Sequence, residues 1–116
     1  MNAQALLDLA ERCEREEPSW DLDVVIGRWF GQHDYAWWRD RAGPSDFTRS
    51  IDAAVTLVPE GLNRSVRTVA PYRPRASVWS CDMSVEENAS GNTEALALCA
   101  AALKARAAML TEKAAA

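Results

Sequence analysis

Ser50-Ile-Asp-Ala-Ala-Val-Thr-Leu-Val-Pro-Glu-Gly61 is a short helix pattern that carries its own start and stop signals. Ser50, or Thr48 two residues earlier, can cap the helix, and the Pro-Glu-Gly ending interrupts it. Thr93-Glu-Ala-Leu-Ala-Leu-Cys-Ala-Ala-Ala-Leu-Lys-Ala-Arg-Ala-Ala-Met109 is a longer pattern that also begins at a capping residue. Its leucine stripe is flanked by alanines, whose small side chains let a helix pack closely on a sheet. The two stretches predict helices packed against a β-sheet.

Two further helices are predicted at the N-terminus. In residues 3–16, apolar side chains recur at the helical spacing i, i+3, i+4, i+7, and Pro18 ends the pattern. A second helix follows, with Ser19 as its cap and Gly31 as its end. In the short helix after Ser50 we expect four apolar side chains to face inward: Ile51, Ala54, Val55 and Val58.

The middle of the chain has the patterns of short strands. Residues 34–39 are aromatic and suit a strand, and residues 62–70 and 76–83 suit a hairpin around a proline-rich turn. In the second hairpin strand, Trp79, Cys81 and Met83 alternate with Ala76 and Val78, so apolar residues fall on both faces. We therefore expect a sheet that is covered on both sides. Residues 86–92 are polar and are predicted to form a loop.

Three blocks of this sequence resemble the phage ABA-sandwich domain family. They are residues 21–31 with an acidic-Leu-Asp helix entry, residues 47–61 with the pattern Thr-x-Ser-x-Asp-Ala-Ala-x-Thr-Leu-Val-Pro-Glu-Gly, and the helix of residues 93–106. Glu94 replaces a proline that the family often has, and Leu62-Asn-Arg-Ser-Val-Arg67 stands where the family often has tryptophans. The resemblance implies an origin in a phage or prophage, and the family has no established biochemical role.

The helix and strand patterns, together with this resemblance, predict one domain over residues 1–116. Its fold class is α/β of the α+β type, a three-layer α-β-α sandwich. A small, mainly antiparallel sheet is covered by helices on both faces, with the long C-terminal helix on one face and the N-terminal helices on the other.

The net charge of −4 is distributed unevenly along the chain. Residues 1–25 carry seven acidic residues against two arginines, whereas residues 26–81 carry eight arginines against five acidic residues. Nonspecific nucleic-acid binding needs a dominant basic surface, which the whole chain lacks. The charge therefore argues against direct nucleic-acid binding and leaves room for a local basic patch in the middle of the chain.

The reactive side chains match none of the catalytic or metal-binding patterns. The three cysteines include no Cys-x-x-Cys, and His33 is the only histidine, so a zinc site would lack ligands. His33 could serve as a general base, but no nucleophile elbow accompanies it. The scattered glycines form no phosphate-binding loop. We predict no catalytic residue, no metal and no cofactor, and an enzyme built around His33 is the least favoured hypothesis.

Two groups of residues are candidates for binding. Trp37 and Trp38 belong to an aromatic cluster that suits either a small core or a recognition surface. The second group is a basic segment around the predicted hairpin turn: Arg64, Arg67, Tyr72, Arg73 and Arg75. Arginines beside an aromatic ring bind phosphate or stack on a base, and equally they protect the edge of a sheet from aggregation.

These observations lead to two hypotheses about function. The first is a non-enzymatic phage accessory protein in the bacterial cytoplasm that binds a host protein or complex and antagonises a defence system; the defence role rests on analogy. The second is a module that sequesters an anionic nucleotide on the basic segment. The longest near-apolar run, residues 95–103, is too short to span a membrane, so we expect no membrane partner. A homo-oligomer stays open as an alternative.

Overall fold

The computed structural model describes residues 3–29 and 46–115, with side chains as far as residue 111. Its elements are α1 (Ala3–Arg15), α2 (Trp20–Trp29), α3 (Ile51–Val55), β1 (Asn63–Arg67), β2 (Arg75–Trp79), β3 (Glu86–Ser90) and α4 (Glu94–Ala115). The predicted α+β class, with helices packed against an antiparallel sheet, is confirmed. The predicted strand at residues 34–39 lies outside the described residues. The same is true of the candidate residues Trp37, Trp38 and His33.

The predicted helix caps are confirmed at three helix starts. The side-chain oxygens of Ser19, Ser50 and Thr93 accept hydrogen bonds from the backbone N–H three residues later, at 3.1, 3.2 and 3.0 Å respectively. Each bond satisfies an N–H group that has no partner inside its own helix. Ser50, and not Thr48, is therefore the cap of α3.

Buried Thr48 has a different role, which is to join α3 to α2. Its backbone N–H donates to Oδ1 of Asp23 at 2.9 Å, and its hydroxyl accepts from the backbone N–H of Ser19 at 3.2 Å. Burial raises the pKa of Asp23, and the hydrogen bond from the Thr48 amide acts in the opposite direction. This polar contact fixes the start of α2 against the segment that leads into α3.

The sheet has the strand order β1-β2-β3, and both neighbouring pairs are antiparallel. The predicted hairpin of β1 and β2 is confirmed, with strands shorter than the sequence suggested. The loop predicted at residues 86–92 is wrong, because residues 86–90 form β3. Ala89 is the one buried residue of β3, so this strand has almost no apolar alternation by which a sequence pattern could be recognised.

Helix α4 is the central element of the core. Every residue from Ala95 to Leu103 is at most 3% exposed, so this part of the helix is covered on all sides. Strands β2 and β3 pack against α4, and α1 and α3 also pack against it. The alanines of α4 make this possible, because small side chains let several elements approach one helix. The predicted apolar stripe of α1 is buried against this core.

The two faces of the sheet have different surroundings. Ala76 and Val78 belong to the core beside α4. The opposite face, where the sequence led us to expect a second helical layer, is polar and largely exposed among the described residues. Cys81 and Met83 were predicted to extend an apolar face of β2, but the strand ends at Trp79 and both residues lie exposed in a turn.

One side chain of α3 also differs from the prediction. Ile51 is 42% exposed, although it was expected to face inward. Its place in the core is taken by Leu57, which is 1% exposed and follows the helix in a turn. The reason is the length of α3, since five residues make little more than one turn and only Ala54 of the helix is fully buried.

Candidate binding face of the sheet

The exposed face of the sheet carries nine side chains in three rows, because the three strands are in register. We call this surface the outer face. Its rows are Arg67, Arg75 and Ser90 at one end, Ser65, Ser77 and Asn88 in the middle, and Asn63, Trp79 and Glu86 at the other end. Side chains two residues apart on a strand share a face, which is why the rows line up. Eight of the nine side chains are polar or charged, and Trp79 is the one aromatic residue.

A groove of about 310 Å³ runs along the outer face. Members of all three rows line it, together with Met83, which is 52% exposed beside the Trp79 end. In the middle row, the Ser77 hydroxyl donates to Oδ1 of Asn88 at 2.6 Å and links β2 to β3. No residue of the described helices lines the groove, so the helical core and the outer face are separate surfaces of the sheet.

The basic row brings two of the predicted site residues together. Arg67 and Arg75 are direct partners on neighbouring antiparallel strands. Like charges in such a pair destabilise a sheet, because their Cβ atoms lie only about 5 Å apart. Within the described part of the chain, neither guanidinium makes a hydrogen bond or an ion pair with another side chain. The pair is thus a concentrated positive charge that no described side chain compensates.

The other three predicted residues do not join this row. Arg64 is exposed on β1, but it alternates with Arg67 and so belongs to the opposite face of the sheet. Tyr72 is 71% exposed in the turn between β1 and β2. Arg73 donates hydrogen bonds to the backbone carbonyl of Glu14 and, at 3.3 Å, to Oδ1 of Asn92. Arg73 therefore attaches the turn to the end of α1 and has a structural contact of its own.

Glu14 strengthens the same junction between α1, β3 and α4. Its carboxylate lies 3.1 Å from Nζ of Lys104 and accepts a hydrogen bond from the backbone N–H of Ser90 at 3.3 Å. Lys104 also donates to the backbone carbonyl of Asn88 at 3.1 Å. This part of the acidic end of α1 is therefore occupied by internal contacts.

A tight turn between β2 and β3 holds the far end of the groove in place. Asp82 accepts hydrogen bonds from the hydroxyl of Ser80 at 2.7 Å and from the backbone N–H and hydroxyl of Ser84 at 3.0 and 2.8 Å. These bonds lower the pKa of Asp82 to about 2, with the Ser80 hydroxyl as the largest contribution. Met83 follows with a φ of 61°, a conformation that the surrounding hydrogen bonds maintain.

The remaining reactive groups do not form a site in residues 3–29 and 46–115. Burial raises the pKa of Cys13 to about 12 and raises that of Cys99 well above its usual value, while the Cys99 thiol donates to the Phe47 carbonyl at 3.1 Å. In those same residues, no group of three or more His, Cys, Asp or Glu side chains could hold a metal ion. Within the described residues, the outer face is therefore the candidate functional surface.

Comparison of the chain with protein-family models, with curated proteins and with solved structures finds no match. The phage ABA-sandwich resemblance thus stays a prediction. No helix in the described ranges is long and apolar enough to cross a membrane. Seven members of the outer face were absent from the predicted site, because their common surface depends on β3 and on the strand register: Asn63, Ser65, Ser77, Trp79, Glu86, Asn88 and Ser90.

Proposed function

We propose that this protein is a phage or prophage accessory protein that binds a macromolecule of the bacterial host in the cytoplasm through the outer face. Antagonism of a host defence system is the purpose that we assign to this binding. The observation that carries the proposal is the outer face itself, an ordered sheet surface that the described helices leave open. The described core lies on the other side of the sheet, and no residue of the described helices lines the groove of the outer face.

The composition of the outer face supports a protein partner. Arginine and tryptophan are enriched among the residues that dominate binding energy at interfaces. The outer face has two arginines in one end row and a tryptophan in the other. A stable interface buries about 800 Å² on each partner. Three short strands supply only part of that area. The exposed side chains of Met83 and Tyr72, at 52% and 71% exposure, would extend the contact at its two ends.

A capture experiment with matched variants tests this proposal. The wild-type protein is immobilised and exposed to an extract of the bacterial host, and the retained proteins are identified by mass spectrometry. Ser65→Tyr fills the middle of the groove from an exposed position on β1, where a tyrosine is compatible with a strand. Glu11→Tyr, exposed on α1, is the matched control.

The expected result is one protein or complex retained by the wild type and by Glu11→Tyr, and at least about tenfold less by Ser65→Tyr, which corresponds to about 1.4 kcal/mol. Circular dichroism establishes that both variants are folded. Equal retention by all three proteins would contradict binding through the outer face, and so would a partner that only Glu11→Tyr loses.

The second candidate function is sequestration of an anionic nucleotide. The pair Arg67 and Arg75, which no described side chain compensates, favours it, because arginine is the side chain that best matches the geometry of a phosphate group. Of the four arginines considered from the sequence, only this pair supports the hypothesis. Arg64 belongs to the opposite face, and Arg73 is bound to the end of α1.

A further inference from the structure

We infer that the outer face binds one nucleoside di- or triphosphate, with its phosphates between Arg67 and Arg75 and its base on Trp79. This inference rests on the second candidate function and specifies its ligand. Three observations carry it: the arginine pair that no described side chain compensates, the uncharged middle row, and the pairing of an aromatic ring with a carboxylate at the far end of the groove.

The arginine pair is better explained by a ligand than by protection of a sheet edge. Charged residues discourage strand-to-strand aggregation when they stand on an edge strand. Arg67 is on β1, at the edge of the three-stranded sheet, and fits that role. Arg75 is on β2, the central strand, where no edge needs protection. An anion between the two guanidiniums would remove their mutual repulsion and accept hydrogen bonds from both.

The middle row suits the sugar of a nucleotide. Ser65, Ser77 and Asn88 are uncharged and carry two hydroxyl groups and one amide. The Ser77 hydroxyl donates to Oδ1 of Asn88, so the Asn88 side chain still has its amide nitrogen as a hydrogen-bond donor. Hydroxyl and amide groups exchange hydrogen bonds with sugar hydroxyls without adding charge between the phosphate end and the base end.

The third row has the features of a base-binding site. Trp79 offers an aromatic surface on which a base can stack, and such stacking contributes about 1–3 kcal/mol per base. Glu86 is its direct partner on β3, and its carboxylate accepts hydrogen bonds only. A carboxylate favours bases with an exocyclic amino group, so adenine, guanine and cytosine are preferred over uracil and thymine.

The dimensions of the groove select the length of the ligand. Arg75 and Trp79 are four residues apart on one strand, which corresponds to about 14 Å. A base, a ribose and two or three phosphates span that distance, whereas a nucleoside monophosphate is too short. The volume of about 310 Å³ is at the lower limit of small-molecule sites, which fits one nucleotide. The net charge of −4 disfavours a long nucleic acid.

Isothermal titration calorimetry at low salt tests the inference with ATP, ADP, UTP, adenosine and pyrophosphate as probes. We expect ATP and ADP to bind, and UTP, adenosine and pyrophosphate to bind at least about tenfold more weakly. Arg67→Gln and Arg75→Gln should each weaken ATP binding about 10- to 100-fold, the loss expected for hydrogen bonds to a charged group. Arg64→Gln is the matched control, since it removes the same charge from the opposite face of β1 and should change affinity less than about twofold.

Three results would overturn the inference. One is that Arg64→Gln weakens ATP binding as much as Arg75→Gln does, which would mean that ATP is attracted by the overall positive charge and not by a defined site. Another is tighter binding of a single-stranded oligonucleotide than of ATP, with affinity that rises with its length. The third is the absence of binding by every probe at millimolar concentration while circular dichroism shows folded protein. If the capture experiment with Ser65→Tyr succeeds in that third case, the nucleotide inference fails and the host-partner proposal stands.

Discussion

Replacing Gly91 with alanine tests the close contact between the end of β3 and the first turns of α4. A Cβ atom added at this buried residue would lie 2.7 Å from the backbone nitrogen of Ala97 and 3.0 Å from the backbone carbonyl carbon of Leu96. Both neighbouring atoms belong to the backbone of a buried helix and cannot rotate away. The Gly91 N–H also donates to the carbonyl of Pro74 at 3.1 Å, which holds the residue in place.

The expected cost follows from two opposing effects. Overpacking of a well-packed interior costs about 1–3 kcal/mol. Replacing glycine with alanine also lowers the conformational entropy of the unfolded chain, which stabilises the folded state by about 0.4–1 kcal/mol. We therefore expect Gly91→Ala to lower the free energy of unfolding by about 1–2 kcal/mol, and to lower Tm by about 4–8 °C in a domain of this size. Urea and thermal unfolding followed by circular dichroism measure both quantities.

Gly61 provides the control, because its backbone conformation, and not a close contact, is what disfavours a larger side chain at that position. Its φ is 86°, and an added Cβ would meet nothing within 4 Å. Asparagine tolerates that left-handed conformation better than alanine, so Gly61→Asn should be milder than Gly61→Ala. At Gly91 the order should reverse, since the larger side chain clashes more. A Gly91→Ala variant within about 0.5 kcal/mol of wild type would refute the close-contact explanation.

Three further predictions concern ionisable groups. Cys81 should react rapidly with a thiol reagent in the folded protein, while buried Cys13 and Cys99 react only on unfolding; rapid labelling of three thiols would contradict the buried positions. Because the folded-state pKa of Asp82 is about 2, below the ordinary value near 3.9, its contribution to stability should be present above about pH 4 and lost as the pH falls toward 2. Asp82→Asn should therefore be less stable than wild type at pH 7 and approach it at pH 2 in urea titrations. Burial raises the pKa of Asp23, so Asp23→Asn, which keeps the acceptor oxygen, should be at least as stable as wild type at pH 7. Asp23→Ala leaves a buried amide unsatisfied and should lose about 1–3 kcal/mol, and equal unfolding midpoints for these two variants would argue against that hydrogen bond.

The helices of this protein could be predicted from the sequence because their signals are local. A capping side chain acts three residues away, and an apolar stripe repeats within two turns, so short windows contain the information. The hairpin of β1 and β2 was found for the same reason, since a proline-rich turn separates two short runs. Such signals fixed the caps at Ser19, Ser50 and Thr93.

The outer face could not be predicted, because it depends on contacts that are distant in the chain. Strand β3 is recognisable only by its pairing with β2 and by the burial of Ala89 against the core. The sequence pattern does not reveal β3, so it predicts a loop for Glu86 and Asn88. It also predicts that Trp79 shares an apolar strand face with Cys81, but β2 ends at Trp79. Likewise, the sequence groups Arg73 with Arg75 but does not show that Arg73 is bound to α1.

The most direct test of the outer face as a nucleotide-binding surface is a backbone-amide NMR titration with ATP. If ligand binds there, the amide signals of Arg67, Arg75 and Asn88 and the indole signal of Trp79 should shift together, with one common Kd. Shifts confined to the Tyr72 turn and α1, with a silent outer face at saturating ATP, would contradict it.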